Sequence, residues 1–291
     1  MSHFTVLVVG NMTRDLITET VERMLAPYQQ NNMGDCPPEF LAFNDCEDDL
    51  RAQFAALSND DLVKYENFEK YARLYHGHDG PDEKTGRYGY WENPNAKWDW
   101  YQIGGRWSNR LLTKHGKRCD YCLFRDLDIE GMRADTREQI IPIVDKLEAV
   151  LKDGGWTMAE IPLWREMRDT AFADKSDAEK RKLVEGVREA YHGHPLVKAV
   201  ERDPRTTKLF QGYAYDLDEF KGSREEAIER YVKAHGFNTH AFLRAGQWSE
   251  HGRMGWFATV INENADWPDQ YAKLLETVKP TETVVLVDCH I

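Results

Sequence analysis

HFTVLVVG, residues His3 to Gly10, is an apolar, β-branched run closed by glycine, and such a run bounded by a turn residue reads as a buried strand. TVVLVDCHI, Thr283 to Ile291, has the same character at the other end of the chain. A buried strand must pair its backbone groups. The two runs are therefore expected in one sheet, with the chain termini as neighbours.

Working inward, TRDLITETVERMLAPY places Leu16, Ile17, Val21, Met24 and Leu25 on one helical face, and Pro27 marks its end. From Asn44 to Tyr75 an acidic segment passes into a second helical pattern, with Phe54, Leu57, Leu62, Tyr65, Phe68, Tyr71 and Leu74 as inward candidates. Residues 77–107 are rich in glycine and aromatics and read as loops and short strands. Helices resume with TREQIIPIVDKLEAVLKD, MAEIPLWREMRDTAFA and SDAEKRKLVEGVREAY, the last opened by a capping-box pair, Ser176 and Glu179. SREEAIERYVKAHG repeats that spacing with Ser223 and Glu226 and stops at Gly236. HAFLRAGQWSEHGRMGWFATVI reads as two strands around a turn at residues 249–252, and a short helix near residues 267–278 leads into the last strand. The expected fold is α+β: a mostly antiparallel sheet containing both terminal strands, made from residues 1–134 and 204–291, with a helical insertion at 135–203.

Fifty acidic against 38 basic residues give a formal net charge of −12, which repels a phosphate backbone and excludes general affinity for long nucleic acid. A small anion remains a possible ligand where a few arginines converge. No apolar run approaches the roughly 20 residues that cross a bilayer, and MSHFTVLVVGNM lacks the basic n-region and cleavage site of a signal peptide. A cytoplasmic protein without a membrane partner is expected. Five cysteines, including the isolated CDYC at Cys119 and Cys122, match neither a disulfide framework nor a paired zinc motif.

NPNAKWDWYQIGGRW, Asn93 to Trp107, concentrates three tryptophans, two glycines and an arginine. If KWDWYQ is extended, Trp98 and Trp100 share one face while Lys97, Asp99 and Tyr101 share the other. Gly104 and Gly105 permit positive φ or the close approach of a ligand to peptide N–H groups. Arg106 offers a planar fork for phosphate, and a tryptophan face stacks on a nucleobase. Trp98, Trp100, Tyr101, Gly104, Gly105, Arg106 and Trp107 are thus candidates for a pocket that takes a small nucleotide-like anion. The competing reading is structural: tryptophans bury large areas, arginine packs on aromatic rings, and Gly-Gly makes turns.

A second candidate is a divalent metal. His3, Asp288 and His290 meet on one face if the terminal strands pair in register, and DLDIE places Asp126, Asp128 and Glu130 at alternate positions if extended. Oxygen and imidazole donors suit manganese, magnesium or zinc, and such an ion activates water for phosphodiester cleavage. The structural alternative is that these side chains cap an edge or face water. YHGH occurs twice, at Tyr75 to His78 and Tyr191 to His194, each where a helical pattern stops and where histidine complements the helix dipole.

Five stretches, HFTVLVVG, NPNAKWDWYQIGGRW, DLDIEGM, HAFLRAGQW with MGWFA, and VVLVDCHI, resemble a family of uncharacterised phage and bacterial proteins. The resemblance touches both ends and the centre, about half of the chain, and the helical middle and CDYC depart from it. It carries no established activity. What it implies is a role in virus–host conflict: counter-defence by capture of an immune signalling nucleotide, or its cleavage by a metal-dependent phosphodiesterase. A module that binds a host protein, with the aromatics serving only as core, is the third expectation.

Overall fold

The structure, a computed structural model, describes residues 2–78, 80–211, 215–255 and 260–291. Its central sheet takes six strands in chain order: β1 (His3–Gly10), β2 (Trp100–Ile103), β3 (Tyr121–Leu123), β4 (Ala241–Arg244), β5 (Gln247–Glu250) and β6 (Thr283–His290). β1 and β6 pair antiparallel over their full length, from His3 opposite His290 to Gly10 opposite Thr283. Ser2 and Ile291 exchange both backbone hydrogen bonds beyond that ladder, so the termini are neighbours.

The free edge of β1 pairs in parallel with β4, which continues antiparallel into β5. The outer edge of β6 is shared: β3 pairs with its first residues and β2 with its last. The fold is therefore α+β, and every ladder of this sheet except β1–β4 is antiparallel. The β4–β5 hairpin turns at Ala245 and Gly246, with φ of 52° and 75°, not at residues 249–252. A two-residue turn with both φ values positive matches strand twist, and the polar run expected to turn is partly the second strand itself. Of the quoted MGWFA, Trp256 to Ala258 lie outside the described residues.

Alternation along the terminal strands builds two cores. Phe4, Val6 and Val8 pack with Val285, Val287 and Cys289 against α1 (Ile17–Leu25), through Ile17, Val21 and Leu25. On the opposite face, Leu7, Val9, Val284 and Leu286 meet Trp267, Tyr271 and Leu275.

The segment read as one helical pattern after Asn44 is three helices, α2 (Glu47–Ala55), α3 (Asn59–Tyr65) and α4 (Phe68–His76). Ser58 and Asn67 cap α3 and α4 by accepting backbone N–H groups, which restarts the helix each time. Leu74, an inward candidate, is exposed.

The helical part comprises α5 (Ile129–Asp153), α6 (Trp164–Phe172), α7 (Asp177–Gly193), α8 (Pro195–Arg202), α9 (Thr207–Phe210) and α10 (Arg224–His235). Its core joins Ile140, Val144, Leu147 and Leu151 to Leu196 and Val200, and also to Phe220, Ile228 and Val232. The helical unit thus reaches beyond Asp203, because α10 turns its apolar face to α5. The capping boxes at Ser176 and Ser223 are both formed. The last helix, α11 (Trp267–Glu276), leads to β6. No helix among the described residues is long and apolar enough to cross a membrane.

Candidate functional site

The strand register assembles the site. His3 lies opposite His290 and Thr5 opposite Asp288; β2 then sets Trp100 opposite His290 and Gln102 opposite Asp288. Cross-strand partners share a face and alternate residues return to it. His3, Asp288, His290 and Trp100 therefore stand together, just beyond the point where Leu7 and Leu286 end the apolar part of that face.

Each imidazole is held by a carboxylate. Asp288, only 1% exposed, accepts from His3 Nδ1 at 2.9 Å through Oδ1 and from the Arg106 backbone N–H at 3.0 Å through Oδ2. Asp99 accepts from His290 Nδ1 at 2.6 Å and, through its other oxygen, from Asn32 Nδ2 at 3.2 Å. An ionised carboxylate only accepts, so both rings carry their proton on Nδ1 and present Nε2 as the free nitrogen when neutral.

The two Nε2 atoms differ in access. His290 Nε2 is buried without a partner. The side chains themselves are about equally exposed, 14% for His3 and 13% for His290, but His3 Nε2 is not buried as that of His290 is. β1 and β2 flank β6 and are two strand spacings, about 9–10 Å, apart. The His3 and Trp100 rings nevertheless approach to 6.2 Å between centroids, and His290 lies 4.9 Å from His3.

The glycine pair turns the chain as expected, with φ of +71° at Gly104 and +51° at Gly105. What approaches the glycines is not open space but the protein's own carboxylates. A Cβ on Gly104 would collide with the Asp120 carboxylate, and one on Gly105 with the Asp288 side chain. Asp288 then takes the Arg106 N–H and Asp120 the Asn109 N–H. Peptide groups expected to face a ligand thus anchor the histidine-bearing carboxylate.

The motif's side chains divide. Trp100 is 48% exposed, and Arg106 is exposed with no side-chain partner among the described residues. Trp98, 5% exposed, lies on the opposite face, donating Nε1–H to the Leu25 carbonyl and meeting Tyr101 edge-on. Tyr101 packs towards α1, and burial raises its hydroxyl pKa. Trp107 packs into the other core. Trp98 and Trp100 do not share a face because the chain changes partner between them: Trp98 bridges to Gln29, and Asp99 N–H already bonds the His290 carbonyl. Strand alternation begins only at Trp100.

Asp126 and Asp128 do not join this site. Asp126 ends a 3-10 turn, and Asp128 caps α5 by accepting the Gly131 N–H at 2.9 Å. The adjoining β3 pairs with the first residues of β6, at the far end from His290. Glu130 already lies in the first turn of α5, so the alternation expected of DLDIE is absent. Among the described residues no group of three or more His, Cys, Asp or Glu is placed to hold a metal ion. At the His3 site Asp288 and Asp99 receive imidazole, backbone and amide protons.

Sequence reasoning missed Asp99 as a partner of His290. The available signal was its place next to Trp100, in a motif otherwise poor in carboxylates. A cleft of about 710 Å³ between the helical unit and the sheet is lined elsewhere, by Arg165, His240, His251, Glu263 and Trp267 among others. The CDYC thiols are held protonated, burial pushing Cys122 up to about 12, which opposes a reactive thiolate. Compared with protein-family models, curated proteins and solved structures, the chain matches none.

Proposed function

We propose that the surface formed by Trp100, Arg106 and His3 binds a small phosphate-bearing, nucleotide-like ligand. The observation that carries this reading is the exposure of Trp100 beside a fixed imidazole, with Arg106, exposed and without a side-chain partner among the described residues, anchored through its backbone to the same carboxylate. A large apolar ring left in water gains by stacking on a base, and an unpaired guanidinium gains by meeting phosphate. The net charge of −12 favours a small anion over a polymer.

Capture of an immune signalling nucleotide, which the resemblance to phage proteins implies, is one use of such a surface. The metal-dependent phosphodiesterase is less favoured, since among the described residues no group of three or more His, Cys, Asp or Glu is placed to hold the ion. A purely structural role for the motif accounts for Trp98, Tyr101 and Trp107 but not for Trp100.

Calorimetric titration with mononucleotides, dinucleotides and cyclic dinucleotides tests the reading. Trp100→Ala is expected to weaken binding by about 1–3 kcal/mol, the usual contribution of a base–aromatic stack, and Arg106→Ala to weaken it further for ligands with more phosphate. Absence of binding across the panel, or affinity untouched by both substitutions, rejects it.

A further inference from the structure

We infer that His3 is the general base in hydrolysis of a phosphoanhydride by this site, with Asp288 as its positioning residue. The inference rests on the nucleotide-binding reading and adds a reaction to it. Three observations carry it. His3 Nδ1 is fixed on a carboxylate that is itself fixed by the Arg106 N–H, so the imidazole has one tautomer and one orientation. Its Nε2 is not buried, on a side chain 14% exposed, whereas Nε2 of the neighbouring His290 is buried. Trp100, half exposed, lies 6.2 Å from His3 between ring centroids, and the exposed Arg106 is tied through its backbone N–H to the same Asp288.

The unequal burial of the two Nε2 atoms selects the substrate. Cleaving a sugar–phosphate ester expels an alkoxide, which needs a general acid within reach. The free nitrogen of His290, the second imidazole, is buried and cannot reach a leaving group. A phosphoanhydride needs no such acid, because the departing phosphate is stable as an anion near neutral pH, its second pKa being about 6. The step is then complete with one base. Water attacks phosphorus and gives a proton to His3 Nε2, a new P–O bond forms, and the bridging P–O bond breaks with its electron pair on the leaving phosphate. Asp288 stabilises the imidazolium, which returns the proton to solvent, and the products are two phosphate monoesters.

The experiment uses the full chain in the presence of EDTA, with diadenosine diphosphate as probe and a 3′–5′ diadenosine monophosphate as the ester control, followed by phosphorus NMR. The expected result is conversion of the pyrophosphate to monoester while the ester control persists. His3→Gln is expected to lower turnover about 100-fold or more, the usual contribution of a positioned base, with affinity for a methylene-bridged analogue falling far less than turnover and the cooperative urea transition retained. Binding of the analogue without cleavage of the pyrophosphate overturns the inference and leaves the binding reading intact. Cleavage that needs an added divalent ion, or that survives His3→Gln, also overturns it. Failure to bind the analogue or any nucleotide removes both.

Discussion

His3 and His290 face each other across the two terminal strands, ring centroids 4.9 Å apart at 69°, yet their carboxylates come from crossed positions. Asp288, two residues before His290 on β6, holds His3, while Asp99, just ahead of β2, holds His290. The arrangement ties three strands and both chain ends together through side chains. It also makes the site depend on the β1–β6 register, because a one-residue slip would turn His3 to the other face.

The two tryptophans of the central motif should separate stability from binding. Trp98→Ala removes a buried ring and its hydrogen bond to Leu25, and is expected to cost about 3–5 kcal/mol in chemical unfolding. Trp100→Ala, at a half-exposed position, should shift stability by no more than about 0.5 kcal/mol while weakening nucleotide binding. Equal losses of stability in the two variants would contradict the division of the motif between core and surface.

Gly105 tolerates no side chain. Alanine there would have to keep a positive φ and would overlap the Asp288 side chain, which is buried and fixed from two sides. Gly105→Ala should destabilise by about 2 kcal/mol or more and loosen His3. Gly104→Ala meets the Asp120 carboxylate, on a more exposed side chain that has room to move, so its effect should be smaller. Thermal unfolding of both variants checks the order, and a Gly104 variant as unstable as the Gly105 one would argue against it.

The sequence made the terminal strands plain because buried strands carry their period in every residue, and that period fixed which of His3, Asp288 and His290 share a face. The hairpin turn was misplaced because Ala245 offers no turn signal, although it adopts a positive φ. Trp98 and Trp100 were read as one strand because the change of partner at Asp99 depends on Gln29 and His290, far away in the chain. The extent of the helical unit was hidden for a similar reason: α10 is amphipathic whichever neighbour it packs against, and only tertiary structure shows that the neighbour is α5.

His240 predicts a pH dependence of stability. Burial, reinforced by the nearby His251, lowers its pKa to about 4, against about 6.5 in the unfolded chain. The folded state therefore keeps the ring neutral while the unfolded state binds a proton, so stability is complete above about pH 6.5 and declines as pH falls towards 4. The full excursion corresponds to up to about 3 kcal/mol. Urea unfolding of the wild type and of His240→Asn at a series of pH values isolates the contribution. The difference between the two should grow smaller as pH falls through this window, and a difference independent of pH would refute the assignment.

Asp288→Asn tests whether the carboxylate sets the tautomer of His3. The wild-type side chain receives two N–H groups, one on each oxygen, in a nearly inaccessible place. An amide has one accepting oxygen and one donating nitrogen. If the oxygen keeps the Arg106 N–H, the NH2 group faces His3 Nδ1, which must then give up its proton and accept, moving the ring proton to Nε2. If the amide flips instead, the Arg106 N–H faces a donor and is left unsatisfied, at a cost of about 1–3 kcal/mol. The first outcome is the cheaper one, so the variant should fold with modest loss and show His3 as the Nε2–H tautomer in nitrogen-15 NMR. In that form Nε2 can donate but no longer accept a proton, and nucleotide cleavage should be lost with folding retained. Asp99→Asn, at a more exposed carboxylate, should change the His290 tautomer in the same way but leave His3 as it was. An Nδ1–H tautomer of His3 persisting in folded Asp288→Asn would show that something other than this carboxylate orients the ring.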